Sequence, residues 1–156
     1  MTNPSHTLAL EEMRNMYQQV SQAGDALDNK ASAMLGVSSL ILGLVGVLQL
    51  SVASRSLTIQ IGLGIAAALY FVMVWLCLKS IFPKSFTTPI QADWNVLSKY
   101  LLTQKEKDAV LNILSGYVTQ IQHNKHINEI KARNVQAVQW IFTVIILLLL
   151  LLSIFG

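Results

Sequence analysis

Apolar positions recur along the first thirty residues at alternating steps of three and four. Leu10, Met13, Tyr17, Val20, Gly24, Leu27 and Ala31 fall on one stripe, the seam of a packed helix. Beyond Ala31 the charged face disappears. Ala31–Ser54 is an uncharged run of 24 residues, and Ser56–Leu78 and Asn134–Gly156 are runs of 23 each. About 20 apolar residues suffice for a helix to cross a bilayer core. No proline interrupts residues 8–54, so the amphipathic stretch and the first run are expected to form one helix, on the order of 70 Å long. A tight turn at Ser54–Ser56 then leads into the second run. Pro83 and Pro89, with Ser85, Thr87 and Thr88, predict an irregular connection after it. Trp94, Leu97 and Leu101 suggest a short amphipathic piece at the membrane surface over Trp94–Leu102. Thr103-Gln104-Lys105-Glu106 has the spacing of a capping box. From there Leu114, Tyr117, Ile121, Asn124, Asn128, Lys131, Val135 and Val138 form a second seam leading into the third run.

The expected fold is therefore an all-α integral membrane protein with three transmembrane helices. Two of these are continuous with long cytoplasmic helices that form a stalk bundle. Within one membrane domain, 1–156, the segments are a cytoplasmic helix (1–30), spans at 31–54, 56–78 and 134–156, and a cytoplasmic connection and helix (79–133). Composition agrees: 53% of residues are hydrophobic and 12% charged, about half the usual charged share of roughly 25%. A soluble globular enzyme is excluded. The single cysteine, Cys77, lies inside the second run, so neither a disulfide framework nor a cysteine metal cluster can form.

Charge sets the orientation. Residues 1–30 carry two of the 11 Lys and Arg residues, Arg55 is alone in its short link, and residues 79–133 carry eight. Basic flanks resist translocation, which places the N-terminus and the middle segment in the cytoplasm and the C-terminus outside. The polar residues before Ala31 include four acids, unlike the basic start of a secretory signal. The first run therefore reads as a retained span.

Two polar features carry candidate function. The first is a stripe of small and acidic residues: Ser21, Asp25, Asp28, Ser32, Gly36, Ser39, Gly43 and Gly46. Small residues on one face let membrane helices approach closely. Ser32, Gly36, Ser39, Gly43 and Gly46 thus form a face that packs on another span or a second subunit, or lines a pore with Asp25 and Asp28 at its mouth. The second feature is the set of seam positions Asn124, Asn128 and Lys131, where buried polar groups are costly unless paired. Counted down from the membrane entries, Asp28 comes level with Arg133, and Asp25 with Ile130–Lys131. These carboxylates and cations form either a structural ion-pair belt or a pocket for an anionic ligand. In the pocket reading, the amides meet a planar base and Lys131 or Arg133 a phosphate. His123 and His126 are a helical turn apart with no third ligand in reach, and read as surface histidines. No metal spacing, phosphate loop, nucleophile elbow or catalytic acid pair occurs. No enzyme activity, cofactor or nucleic-acid partner is expected.

The run Leu27-Asp28-Asn29-Lys30-Ala31-Ser32 leads directly into the first span, and Asn124, Asn128, Lys131, Ala132 and Asn134 lead into the last. Over roughly residues 8–155 this pattern resembles the small transmembrane effectors of bacterial anti-phage signalling, in particular the Pycsar transmembrane effectors and their SLATT-domain cousins. The resemblance implies an effector that disrupts the inner membrane when a cyclic nucleotide signals infection, causing abortive infection. The suspected ligand is a cyclic pyrimidine mononucleotide, and the other partners are the lipid bilayer and further copies in a homo-oligomer. The family's Asp-Lys-Ala element falls on Asp28, Lys30 and Ala31. With about 30 and 55 cytoplasmic residues there is no room for a separate nucleotide-binding domain, so a ligand must bind the stalks themselves. The alternative is a non-catalytic structural subunit anchoring a cytosolic partner protein.

Overall fold

The computed structural model describes residues 4–50, 57–82 and 105–155. They form three helices: α1 (Pro4–Leu50), α2 (Leu57–Ile81) and α3 (Glu106–Phe155). Pro4 opens α1, where its missing N–H costs no hydrogen bond. The 47 residues of α1 and the 50 of α3 each run as one uninterrupted helix. The expected turn at Ser54–Ser56, the connection around Pro83 and Pro89, and the surface piece at Trp94–Leu102 lie outside the described residues. So does Thr103. The Lys105 carbonyl accepts the Ala109 N–H at 3.0 Å, placing Lys105 at the cap of α3, and Glu106 and Asp108 in the first turn complement the helix dipole.

Among the described residues, two helices are long and apolar enough to cross a membrane: α2 and the apolar half of α3. These correspond to two of the three expected spans. Large apolar side chains on both, such as Phe71, Trp75, Trp140 and Leu147, are exposed, as lipid-facing residues are. Lys79 lies 5.0 Å from the centre of the Trp75 ring, a cation–π pair of the kind found at headgroup level.

The chain divides into two compact units. In the first, residues 4–25 of α1 pair with 105–129 of α3. Tyr17 and Tyr117 meet edge to face, with ring centres 6.0 Å apart. In the second unit, residues 26–50, 57–82 and 130–155 pack around Met73, Cys77 and Val138, with Met34, Leu35, Tyr70 and Phe142 against them. Gly62 is buried where α2 approaches α3: a Cβ there would lie 2.7 Å from Leu152 Cδ2. The seams follow the sequence pattern. Gly24 and Ala31 of α1 are buried, as are Ile121, Asn124, Asn128, Lys131, Val135 and Val138 of α3.

Candidate functional site

In the second unit, Lys131 is 3% exposed. Its Nζ donates to both carboxylate oxygens of Asp28, at 2.8 and 2.7 Å. The Asp28 side chain is about one-third exposed, at 31%, so one side of the pair reaches solvent. An ammonium is tolerated at such depth only with an ionic partner. Axial level alone pointed to Arg133 as the partner of Asp28, but Arg133 is exposed. Helical phase explains the difference. Each residue turns the helix by 100°, so Lys131 continues the seam of Asn124 and Asn128, whereas Arg133 lies about 200° further round. Asp25, in the first unit, is likewise exposed.

In the first unit, Asn128 Nδ2 donates to the Val20 carbonyl at 2.7 Å, tying α3 to α1 through a side chain. Asn128 Oδ1 has no partner among the described residues. Asn124, one turn earlier, is 0% exposed, and neither its Nδ2 nor its Oδ1 has a partner among the described residues. Each such group gives up hydration without return, at about 1–3 kcal/mol. The structure therefore places Asn128 in a hydrogen bond and leaves both amide atoms of Asn124 without a partner among the described residues. His123 and His126 are exposed, and no group of three or more His, Cys, Asp or Glu among the described residues is placed to hold a metal.

The small-residue face of α1 points mostly away from the other described residues. Ser32, Gly36, Ser39, Gly43 and Gly46 are all exposed, and a Cβ at Gly36, Gly43 or Gly46 would meet nothing within 4 Å among the described residues. The exception is Ser39, whose Oγ lies 3.1 Å from the Tyr70 hydroxyl of α2. The residue that packs inward is Ser38, 3% exposed, with its hydroxyl donating to the Leu35 carbonyl at 3.0 Å. Ser38 comes seven residues after Ala31, so carrying the first seam one heptad into the apolar run would have found it. Nothing in the sequence signalled the Val20 carbonyl, because any backbone group can accept.

The described residues thus form long helices with apolar halves and with charged and amide groups embedded in their seams. A family model described as the Pycsar effector protein domain matches residues 12–156. The chain belongs to the Pycsar effector family. No curated protein and no solved structure matches it. It is an anti-phage effector of the inner membrane, which it disrupts in response to a cyclic nucleotide, producing abortive infection.

Proposed function

We propose that this Pycsar effector is a homo-oligomer of three-span subunits, with the N-terminus in the cytoplasm and the C-terminus outside. Its trigger is a cyclic pyrimidine mononucleotide bound by the stalk helices. Asp28 and Lys131 act as the latch, and Asn124 and Asn128 as the adjustable seam. The observation that carries this reading is the buried Lys131–Asp28 pair between two helices that each continue into an apolar run. A buried ion pair contributes little net stability yet is costly to break by halves, so it holds one packing without making that packing deep. A ligand that binds a second packing more tightly shifts the population by that difference in affinity. The first apolar run, 31–54, supplies the third span, and with it the odd number of crossings that separates the termini. The outward-facing glycines of α1 favour close approach of a second copy. Asp25 and Arg133, exposed in one subunit, are available to the ligand or to a neighbouring subunit.

Dye release from liposomes tests the reading. Addition of 3′,5′-cyclic CMP or cyclic UMP should release dye from vesicles carrying the wild type. Lys131→Met and Asp28→Asn should insert equally well and lose nucleotide dependence, either leaking constitutively or staying silent. Nucleotide-dependent release unchanged in both variants would sink the latch.

A further inference from the structure

A cleft of about 430 Å3 opens in the first unit between α1 and α3, lined by Thr7, Leu10, Glu11, Arg14, Ile113 and Tyr117. Its volume falls in the ~300–1,000 Å3 range of small-molecule sites. We propose that this cleft is the cyclic-nucleotide site of the chain, with Arg14 on the phosphate, Glu11 on the ribose and Tyr117 under the base. The proposal rests on the reading that the ligand binds the stalk helices directly, and it puts the site on residues other than the seam amides.

The chemistry of the lining fits this ligand class. Arg14 is the only cation among residues 4–25, is exposed, and makes no ion pair among the described residues. Its planar fork suits two oxygens of a phosphodiester. Glu11 precedes Arg14 by three residues, so the two side chains project from the same helix face. In a 3′,5′-cyclic nucleotide the 2′-hydroxyl sits beside the ring-fused phosphate. A carboxylate one turn from the guanidinium can accept from that hydroxyl while Arg14 holds the phosphate. Tyr117 is half-buried and braced edge-on by Tyr17, at an interplanar angle of 77°. A ring fixed in this way is a stacking platform, and base–aromatic stacking tolerates any base. Leu10 and Ile113 supply apolar lining, and Thr7 a hydroxyl.

Because the lining comes from both helices, an occupant touches both. Asn128 of α3 bonds Val20 of α1, six residues after Arg14. Occupancy of the cleft therefore acts on the same helix pair that the Asn128 amide ties together.

Equilibrium dialysis of the full chain in detergent, with labelled cyclic CMP and cyclic UMP, tests the assignment. The wild type should bind at least one of them. Arg14→Glu and Tyr117→Leu should each weaken binding by at least about tenfold, and Tyr117→Phe should bind as the wild type does. Glu11→Gln should weaken the ribonucleotide while leaving its 2′-deoxy analogue unchanged. Lys125→Glu makes the same charge reversal on an exposed α3 position outside the cleft, and should leave affinity within about twofold if general electrostatics is not the cause. Circular dichroism confirms that each variant is folded. Wild-type binding that survives both Arg14→Glu and Tyr117→Leu would overturn the site and leave direct ligand recognition standing. Absence of wild-type binding to either nucleotide would overturn both.

Discussion

Lys131 of α3 donates to both oxygens of Asp28 of α1 from a position almost sealed from solvent. The two groups are asymmetric, since the cation is buried and the carboxylate is partly open. Asp28→Ala thus strands a charge, whereas Lys131→Met removes one and keeps the packing. Breaking a buried pair by removing one partner costs about 3–5 kcal/mol, and replacing both partners with apolar residues is often neutral. The expected order of thermal midpoints in detergent is Asp28→Ala lowest, then Lys131→Met, with Asp28→Leu/Lys131→Met close to the wild type. The double variant should nevertheless lose nucleotide-dependent dye release, because the ion pair that responds to the ligand is gone.

Asn124 and Asn128 are the same residue type one turn apart, yet Asn124→Leu should stabilise more than Asn128→Leu. Asn128→Leu gives up the hydrogen bond to the Val20 carbonyl, a net worth of about 0.5–1.5 kcal/mol, and this offsets what is gained by removing its own unpartnered Oδ1. Asn124 is buried with both amide atoms unpartnered among the described residues, so Asn124→Leu should raise the midpoint. It should also raise the nucleotide concentration needed for dye release, because it deepens the packing the ligand must displace. Midpoints that shift equally would show that the two layers are not distinct.

Much of this was legible in the sequence, for identifiable reasons. The α3 seam from Ile121 to Val138 is buried as the three-and-four spacing required, since periodicity reports helical phase directly. The continuity of α1 and α3 followed from the absence of proline. The partner of Asp28 was not legible from axial level, because level ignores rotation about the axis, and phase selects Lys131 over Arg133. The Arg14–Tyr117 cleft was not legible at all. Its halves lie about a hundred residues apart, and neither Arg14 nor Tyr117 stands out from ordinary amphipathic-helix residues. The outward direction of the small-residue stripe was equally hidden, since a glycine row reads the same whether it meets its own chain or another.

The glycines of α2 separate close approach from open space. Glycine to alanine in a helix interior gains roughly 0.5–1 kcal/mol by propensity alone. Gly64 has room for a Cβ, so Gly64→Ala should raise stability by about that amount. At Gly62 the added carbon overlaps the end of Leu152. The leucine tip can swing aside, so Gly62→Ala should come out near zero. Gly62→Val adds methyls that the tip cannot clear, and should cost about 1–3 kcal/mol as overpacking. Thermal melts of the three variants in one detergent give the comparison.

The α1 glycines test assembly rather than folding. A Cβ at Gly36 or Gly43 meets nothing among the described residues, so Gly36→Leu and Gly43→Leu should leave the subunit fold and its thermal midpoint essentially intact. If a second copy packs on this face, each leucine holds the two backbones apart and removes the close contact on which membrane-helix association depends. Native mass spectrometry or in-membrane crosslinking should then show the wild type as an oligomer and the leucine variants as monomers, with protection from phage lost in step. Gly64→Leu on α2 controls for bulk in lipid, because Gly64 is exposed on a different helix. Oligomers that persist in both α1 variants would place the interface elsewhere and leave the glycine face to the lipid.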